Sequence, residues 1–154
     1  MQRYPLVVQL FSLKKAYGPL VESSSVSKGV LTCIINLQPA PDCDIYKVKI
    51  KYKQGNFSPK VWLLNPKLER VNDKLPHHIY GHDSAGHPQL CVFYPGYNEW
   101  NPQMLISQSL VPWIITWLNT YEYWLITGKW IYAESPHLAT KGNSKLGKNH
   151  HRSD

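Results

Sequence analysis

The hydrophobic positions near the start of the chain follow a helical period. Leu6, Leu10 and Leu13 lie three to four residues apart. This spacing predicts an amphipathic helix over residues 5–16, and Gly18 with the proline after it ends the pattern.

A strand period replaces the helical one from residue 30 onward. Residues 30–37 are β-branched and apolar, residues 45–52 alternate between apolar side chains and lysines, and residues 61–64 are apolar again. Because short turn-forming links separate these three runs, they predict three strands of an antiparallel meander, and we expect about four strands in the whole meander. The alternation also predicts a row of lysines on one strand face, which we expect to face solvent: Lys47, Lys49, Lys51 and Lys53.

The second half of the chain contains an aperiodic stretch and then a second helical pattern. Residues 67–89 show little periodicity, and a loop this long in a compact domain is usually functional or disordered. Over residues 105–125, apolar and tryptophan side chains return at helical spacing. They predict a helix that begins around Val111, ends at Gly128 and turns its tryptophans toward the core.

Together these elements predict an α+β fold with an N-terminal helix, an antiparallel meander and a long helix after the loop. With 43% hydrophobic residues the chain is rich enough for a core, so we expect one domain over residues 1–134. A basic flexible tail is expected over residues 135–154, where apolar residues become rare. The side chains expected to be largely buried are Leu6, Leu10, Leu13, Ile34, Val48, Ile50, Val61, Leu110, Ile114 and Leu118.

Charge and cysteine content narrow the functional classes. The chain carries 17 Lys and Arg against 10 Asp and Glu, a formal charge of +7, which favours acidic partners. We find no signal-peptide pattern and no apolar run of membrane-spanning length, so we expect a cytoplasmic protein with no membrane partner. The three cysteines include no Cys-x-x-Cys pair, which argues against a thiol-rich zinc module and favours free thiols.

Reactive side chains concentrate between residues 76 and 102. This stretch holds four of the seven histidines and Cys91, which follows a turn-rich loop and opens a short apolar run. A thiol at a loop edge is accessible to a substrate, and neighbouring imidazoles favour the thiolate that attacks a carbonyl carbon. An isolated cysteine is more often a small buried hydrophobe, so it is the flanking histidines and the Glu-Trp-Asn-Pro sequence that favour a nucleophile.

The order of these elements resembles the ubiquitin-conjugating enzymes over residues 5–130. In that family a meander is followed by a histidine-containing loop, a cysteine between apolar residues, a Trp-x-Pro sequence and a helix. The matching residues here are Leu90-Cys91-Val92 and Trp100-Asn101-Pro102. The resemblance implies the ubiquitin-conjugating-enzyme-like fold.

The chain is more similar still to the bacterial branch found in anti-phage cyclic-oligonucleotide (CBASS) operons, as a stand-alone short type. The similar segments are 76–80, 90–91, 99–100, 117–118 and 128–130. The sequence departs from the wider family at its His-Pro-Asn triplet, which is absent. His78 falls closest to the position of that asparagine.

The resemblance implies a cysteine-dependent transferase. In the family, the cysteine carries the C-terminal carboxyl of another protein as a thioester, and an amine then attacks it to form an isopeptide bond. The resemblance therefore assigns Cys91 as the nucleophile and His78 as support for the oxyanion or the active-site loop, with Tyr80 nearby. Further candidates to deprotonate or orient the incoming nucleophile are His82, Asp83 and His87.

The donor carboxyl must be activated before it reaches this chain, because a thioester does not form from a free carboxylate without energy input. The sequence contains no Gly-rich nucleotide loop, and we expect no cofactor. By resemblance to the CBASS branch, the expected partner is the operon's cGAS-like nucleotidyltransferase, carried by its C-terminus. Its conjugation would regulate anti-phage signalling.

Alternatives from other classes remain open. A zinc site on His82, His87 and Cys91 would bring nitrogen and sulfur ligands together, although no fourth ligand is evident. A non-catalytic protein-binding module on the same fold is another alternative. Direct nucleic-acid binding is not expected, because the sequence shows no surface on which aromatic and basic residues interleave.

Overall fold

The structure is a computed structural model that describes residues 3–55, 58–93 and 99–131. The helices are α1 (Leu6–Tyr17) and α2 (Leu110–Thr127), with short 3-10 turns at Gly18–Leu20 and Ile106–Gln108. The strands are β1 (Val21–Ser27), β2 (Val30–Leu37), β3 (Tyr46–Lys53), β4 (Lys60–Asn65), β5 (Ile79–His82) and β6 (Pro88–Leu90). The predicted tail over residues 135–154 lies outside the described residues.

The strands form one antiparallel sheet in the order β1-β2-β3-β4-β6-β5. The first four strands are a meander, as predicted. The chain leaves the sheet after β4 and returns as the β5–β6 hairpin, whose strand β6 pairs with β4 through Trp62 and Gln89. The α+β fold with an N-terminal helix, an antiparallel sheet and a C-terminal helix is therefore confirmed.

Strand alternation decides which side chains form the core. Along β2, Cys33 and Ile35 are fully buried on the inner face, so Ile34 between them lies half-buried on the outer face. The prediction that Ile34 is a core residue was wrong for this reason, and Leu10 is likewise only half-buried against the core. The other predicted core residues are buried: Leu6, Leu13, Val48, Ile50, Val61, Leu110, Ile114 and Leu118.

Neither β1 nor the hairpin is evident from sequence periodicity. Strand β1 is serine-rich and mostly exposed, and it is held by pairing with β2 along its length. Strands β5 and β6 have only four and three residues, too few for a periodic signal. Strand β1 and the β5–β6 hairpin both depend on backbone pairing to neighbouring strands, and the hydrophobic pattern of the sequence does not show this pairing.

Helix α1 is tied to the far half of the chain through a buried amide. Gln9 donates from Nε2 to the Met104 carbonyl at 2.8 Å and accepts from the Ile106 N–H at 2.8 Å. Its buried side chain is thereby satisfied at both ends. These two hydrogen bonds fix the segment around Met104 and Ile106, which leads into α2.

Helix α2 supplies much of the core beneath the sheet. It begins at Leu110, one residue before the predicted start, and ends at Gly128, whose left-handed φ of 78° suits glycine. Trp117 and Trp124 are buried, as the spacing predicted, while Trp113 is half-buried against the core.

Candidate active site

Cys91 lies directly after the last residue of β6, where the strand ends and a loop begins. Its backbone N–H donates to the His78 carbonyl at 2.9 Å, which continues the hairpin pairing by one further bond. The flanking Leu90 and Val92 are buried, whereas Cys91 itself is half-buried. Two buried apolar neighbours thus anchor the backbone while the thiol stays at the surface edge.

Among the described residues, the thiol has two polar neighbours. Cys91 Sγ lies 3.2 Å from the Tyr80 hydroxyl and 3.4 Å from the Phe93 carbonyl oxygen. Tyr80 is on β5, and the hairpin register brings it next to a residue that is eleven positions later in the chain. Among the predicted site residues, Tyr80 is the one whose side chain contacts the thiol.

Tyr80 is suited to donate a hydrogen bond at this position. Its side chain is 61% exposed overall. Partial burial of the hydroxyl, together with the hydrogen bond and charge of Cys91, raises the pKa of Tyr80 to about 12. The hydroxyl therefore remains protonated at neutral pH and can donate to a thiolate or to an oxyanion formed on it.

His78 supports the site through its backbone. Its carbonyl accepts both the Cys91 N–H and the Trp117 indole N–H, the latter at 3.2 Å, so it links the Cys91 backbone to α2. Its φ of 63° is left-handed, a conformation in which histidine, asparagine and aspartate are several-fold enriched among non-glycine residues.

The His78 ring packs against the buried Trp130, with ring centroids 5.4 Å apart. Burial, with a smaller contribution from neighbouring His77, lowers the pKa of His78 to about 4. The imidazole is therefore neutral at pH 7.

The turn of the hairpin is organised by a carboxylate. Asp83 Oδ1 accepts from the backbone N–H groups of Ala85 and His87, at 2.9 and 2.8 Å, and Oδ2 lies 3.1 Å from His87 Nδ1. The backbone hydrogen bond from His87 is the largest of the effects that lower the pKa of Asp83. Both residues are engaged in closing the turn.

The predicted histidines of this turn lie away from the thiol. His82 pairs with Pro88, and Cys91 is three residues further along, roughly 10 Å at the rise of a strand. The structure therefore does not gather His82, His87 and Cys91 as a ligand set. Within residues 3–55, 58–93 and 99–131, no three His, Cys, Asp or Glu side chains are grouped to hold a metal.

A shallow groove of about 230 Å³ runs beside Tyr80. Its walls come from the start of β4, from β5 and from the chain that passes through Cys91. The lining residues are Ser58, Pro59, Lys60, Val61, Tyr80, Gln89, Leu90, Val92 and Phe93. Residues 94–98, which follow this part of the chain, lie outside the described residues.

Trp100 occupies the supporting position that its Trp-x-Pro context predicts. It is 8% exposed and meets the Tyr52 ring edge-on, with centroids 4.8 Å apart. It therefore fixes the end of the loop against β3.

The other two cysteines have different surroundings. Cys33 is fully buried in β2, and burial raises its pKa to about 11. Cys43 is half-buried in the link between β2 and β3, where burial and nearby carboxylates raise its pKa. Both thiols are less readily ionised than a free cysteine.

The fold and the thiol define a class before any comparison is made. The architecture is that of the ubiquitin-conjugating-enzyme-like class, with a cysteine after the last strand of the sheet. The family model described as Type II CBASS E2 protein matches residues 9–138, and the chain belongs to this family. It therefore has an E2-like role in CBASS, together with other CBASS proteins.

A search of curated proteins returned no match. No helix in the described ranges is long and apolar enough to cross a membrane.

Proposed function

We propose that this chain is a cysteine-dependent conjugating transferase. In this proposal Cys91 carries the C-terminus of a partner protein as a thioester and passes it to an amine. The observation that carries the proposal is the half-exposed Cys91 thiol at the end of the sheet, 3.2 Å from a tyrosine hydroxyl, in a chain of the E2 family of CBASS.

The proposed reaction has two acyl-transfer steps. The Cys91 thiolate attacks the activated carbonyl of the donor, and the donor's leaving group departs with the electron pair of the bond that breaks. An amine then attacks the thioester, an amide bond forms, and the Cys91 thiolate leaves while the amine proton passes to solvent or a base. No net oxidation or reduction occurs.

Tyr80 has a defined part in both steps. Negative charge develops on the carbonyl oxygen of each tetrahedral intermediate, and a fixed donor near the sulfur stabilises it. The Tyr80 hydroxyl, protonated at neutral pH and in contact with Sγ, is placed to donate to the departing thiolate or to that oxygen. His78 serves as a positioning residue, because its carbonyl holds the Cys91 N–H.

The donor is proposed to be the cGAS-like nucleotidyltransferase of the same system, activated elsewhere. Membership of the CBASS E2 family supports a partner from that system. The groove beside Tyr80 is lined mainly by apolar residues next to strands β4 and β5, which suits an extended C-terminal peptide better than a folded surface. Passing the carried C-terminus to an amine would regulate anti-phage signalling.

The proposal is tested by trapping the intermediate. Cys91→Ser protein, expressed with its genomic neighbours, should accumulate an oxygen ester that survives purification. Intact-mass analysis should then find an adduct equal to the partner's mass less a water molecule. Wild-type protein should give the same adduct in a form that thiol reductants remove, and Cys43→Ser serves as the matched control and should behave like wild type.

Two results would contradict the proposal. An adduct that persists in Cys91→Ala would mean that another residue carries the partner. A folded Cys91→Ala protein that retains full anti-phage activity would favour the alternative, a non-catalytic protein-binding module.

A further inference from the structure

The outer face of the sheet, opposite the core, carries a concentrated basic surface. Alternation along β3 and β4 brings Lys49, Lys51, Lys53, Lys60 and Trp62 onto this face, which we call the basic face. The lysines of β3 were expected to face solvent, and each is exposed or half-buried as predicted. What the linear pattern does not record is that β4 adds a tryptophan and a further lysine beside them.

Two lysines of the basic face are direct partners across the sheet. Lys51 on β3 pairs with Lys60 on β4, and both are exposed. Like charges placed directly opposite in an antiparallel sheet destabilise it. At the other end of the row, Lys47 is neutralised by Glu22 at 3.2 Å, whereas the described residues that line the groove around Lys51 and Lys60 include no acidic side chain. An anion between the two lysines would relieve their repulsion.

Trp62 makes this surface more than a solvated charge row. It is half-buried in the next cross-strand pair, opposite Lys49, whose Nζ lies 5.2 Å from the centre of its ring. The ring borders a groove of about 360 Å³, also lined by Val30, Lys51, Lys53, Ser58 and Lys60. An aromatic ring beside a row of cations offers stacking and charge in one groove.

Contrary to the expectation from the linear sequence, we propose that the basic face, which brings an aromatic ring among lysines, binds single-stranded nucleic acid. Lys51 and Lys60 would contact phosphates while a base stacks on Trp62, which is the combination used by sequence-tolerant single-strand binders. Successive lysines of β3 are roughly 7 Å apart at the rise of a strand, a spacing that suits the repeated phosphates of an extended strand. An acidic polypeptide would satisfy the lysines but would bring no base to stack on the exposed part of the Trp62 ring. This inference does not depend on the proposed transferase activity.

The test measures binding of a fluorescein-labelled oligothymidylate, about 12 nucleotides long, to the full chain by fluorescence anisotropy. Lys51→Gln/Lys60→Gln should raise Kd about tenfold or more at low salt and lower the slope of log Kd against log salt by about 1.4. The matched control is Lys14→Gln/Lys15→Gln on α1, which removes the same charge from a different surface and should change Kd less than about twofold.

Two further measurements test the contribution of base stacking and whether the double substitution unfolds the protein. Trp62→Leu keeps every lysine and should raise Kd about fivefold, because stacking is lost. Thermal unfolding of Lys51→Gln/Lys60→Gln should occur at the wild-type temperature or above it, since the repulsive pair has been removed.

The proposal is overturned by any of three results. The first is that wild-type protein binds no oligothymidylate at low salt. The second is that the two double variants weaken binding equally. The third is that polyglutamate displaces the oligonucleotide as effectively as unlabelled oligothymidylate does. Equal weakening would indicate general attraction by the net charge, and the last result would assign the face to an acidic protein.

Discussion

Cys33 and Cys91 belong to the same sheet and have opposite surroundings. Cys33 is in the middle of β2, paired on both sides, with no exposed surface and a pKa raised to about 11 by burial. Cys91 lies one residue beyond β6, half-exposed, with its sulfur beside the Tyr80 hydroxyl. The two thiols thus differ in accessibility, because Cys33 faces the core from the middle of a strand whereas Cys91 follows the last residue of its strand.

The same contrast explains what each region contributes. Cys33 is fully buried in the hydrophobic core cluster, so the contribution of its side chain is packing. Among the described residues, the polar neighbours of the Cys91 thiol are the Tyr80 hydroxyl and the Phe93 carbonyl oxygen, and the side chain is only half-buried. Substitutions at the two cysteines should therefore separate stability from chemistry.

The largest expected effect comes from replacing the two cysteines in turn. Cys91→Ala should abolish the thiol-labile partner adduct while leaving the unfolding free energy near the wild-type value, because the side chain is only half-buried. Cys33→Ala should keep the adduct and lose about 1 kcal/mol of stability through a small cavity. Intact-mass analysis measures the adduct and urea unfolding measures the free energy of unfolding. Loss of the adduct in a folded Cys33→Ala protein would contradict the assignment of chemistry to Cys91 and of packing to Cys33.

Thiol alkylation of the native protein sharpens the same comparison. Iodoacetamide should modify Cys91 in the folded state, whereas Cys33 should react only after unfolding, since it is fully buried and its pKa is raised. Peptide mass mapping before and after addition of denaturant assigns the modified residue. Equal labelling of Cys33 and Cys91 in native buffer would show that the sheet opens far more often than its packing indicates.

A smaller effect is expected at Tyr80. Tyr80→Phe removes the hydroxyl 3.2 Å from the sulfur and keeps the ring, so it should slow thioester formation or discharge about tenfold to a hundredfold without unfolding the protein. Single-turnover assays on the loaded protein measure this rate. The matched control is Tyr123→Phe on α2, an exposed tyrosine outside the candidate active site, which should leave the rate unchanged.

The smallest expected effect is a pH dependence at His78. Its folded pKa of about 4 lies below the unfolded value, so the unfolded state binds a proton first as the pH falls. Wild-type stability should therefore decline from about pH 6.5 toward pH 4, and His78→Asn should decline less while retaining the left-handed backbone. Urea unfolding across this range tests it, with the exposed His82→Asn protein expected to follow wild type.

The elements that could be predicted from the sequence are those in which hydrophobic side chains recur with a regular period. Helix α1, strands β2 to β4 and helix α2 all bury one face, and burial of one face imposes a period that can be read along the chain. The position of Cys91 after an aperiodic loop and before an apolar run was likewise evident, and so was the resemblance that made it the candidate nucleophile. These are local properties, set by residues close in sequence.

Contacts between residues that are far apart in the sequence depend on the tertiary structure. Tyr80 reaches Cys91, and His82 and His87 do not, because the hairpin register pairs Ile79 with Leu90. Trp62 joins the lysines of β3 for the same reason, since it depends on the register between β3 and β4. Strand register is set by backbone pairing and the packing of a whole sheet, and no period in the sequence encodes it.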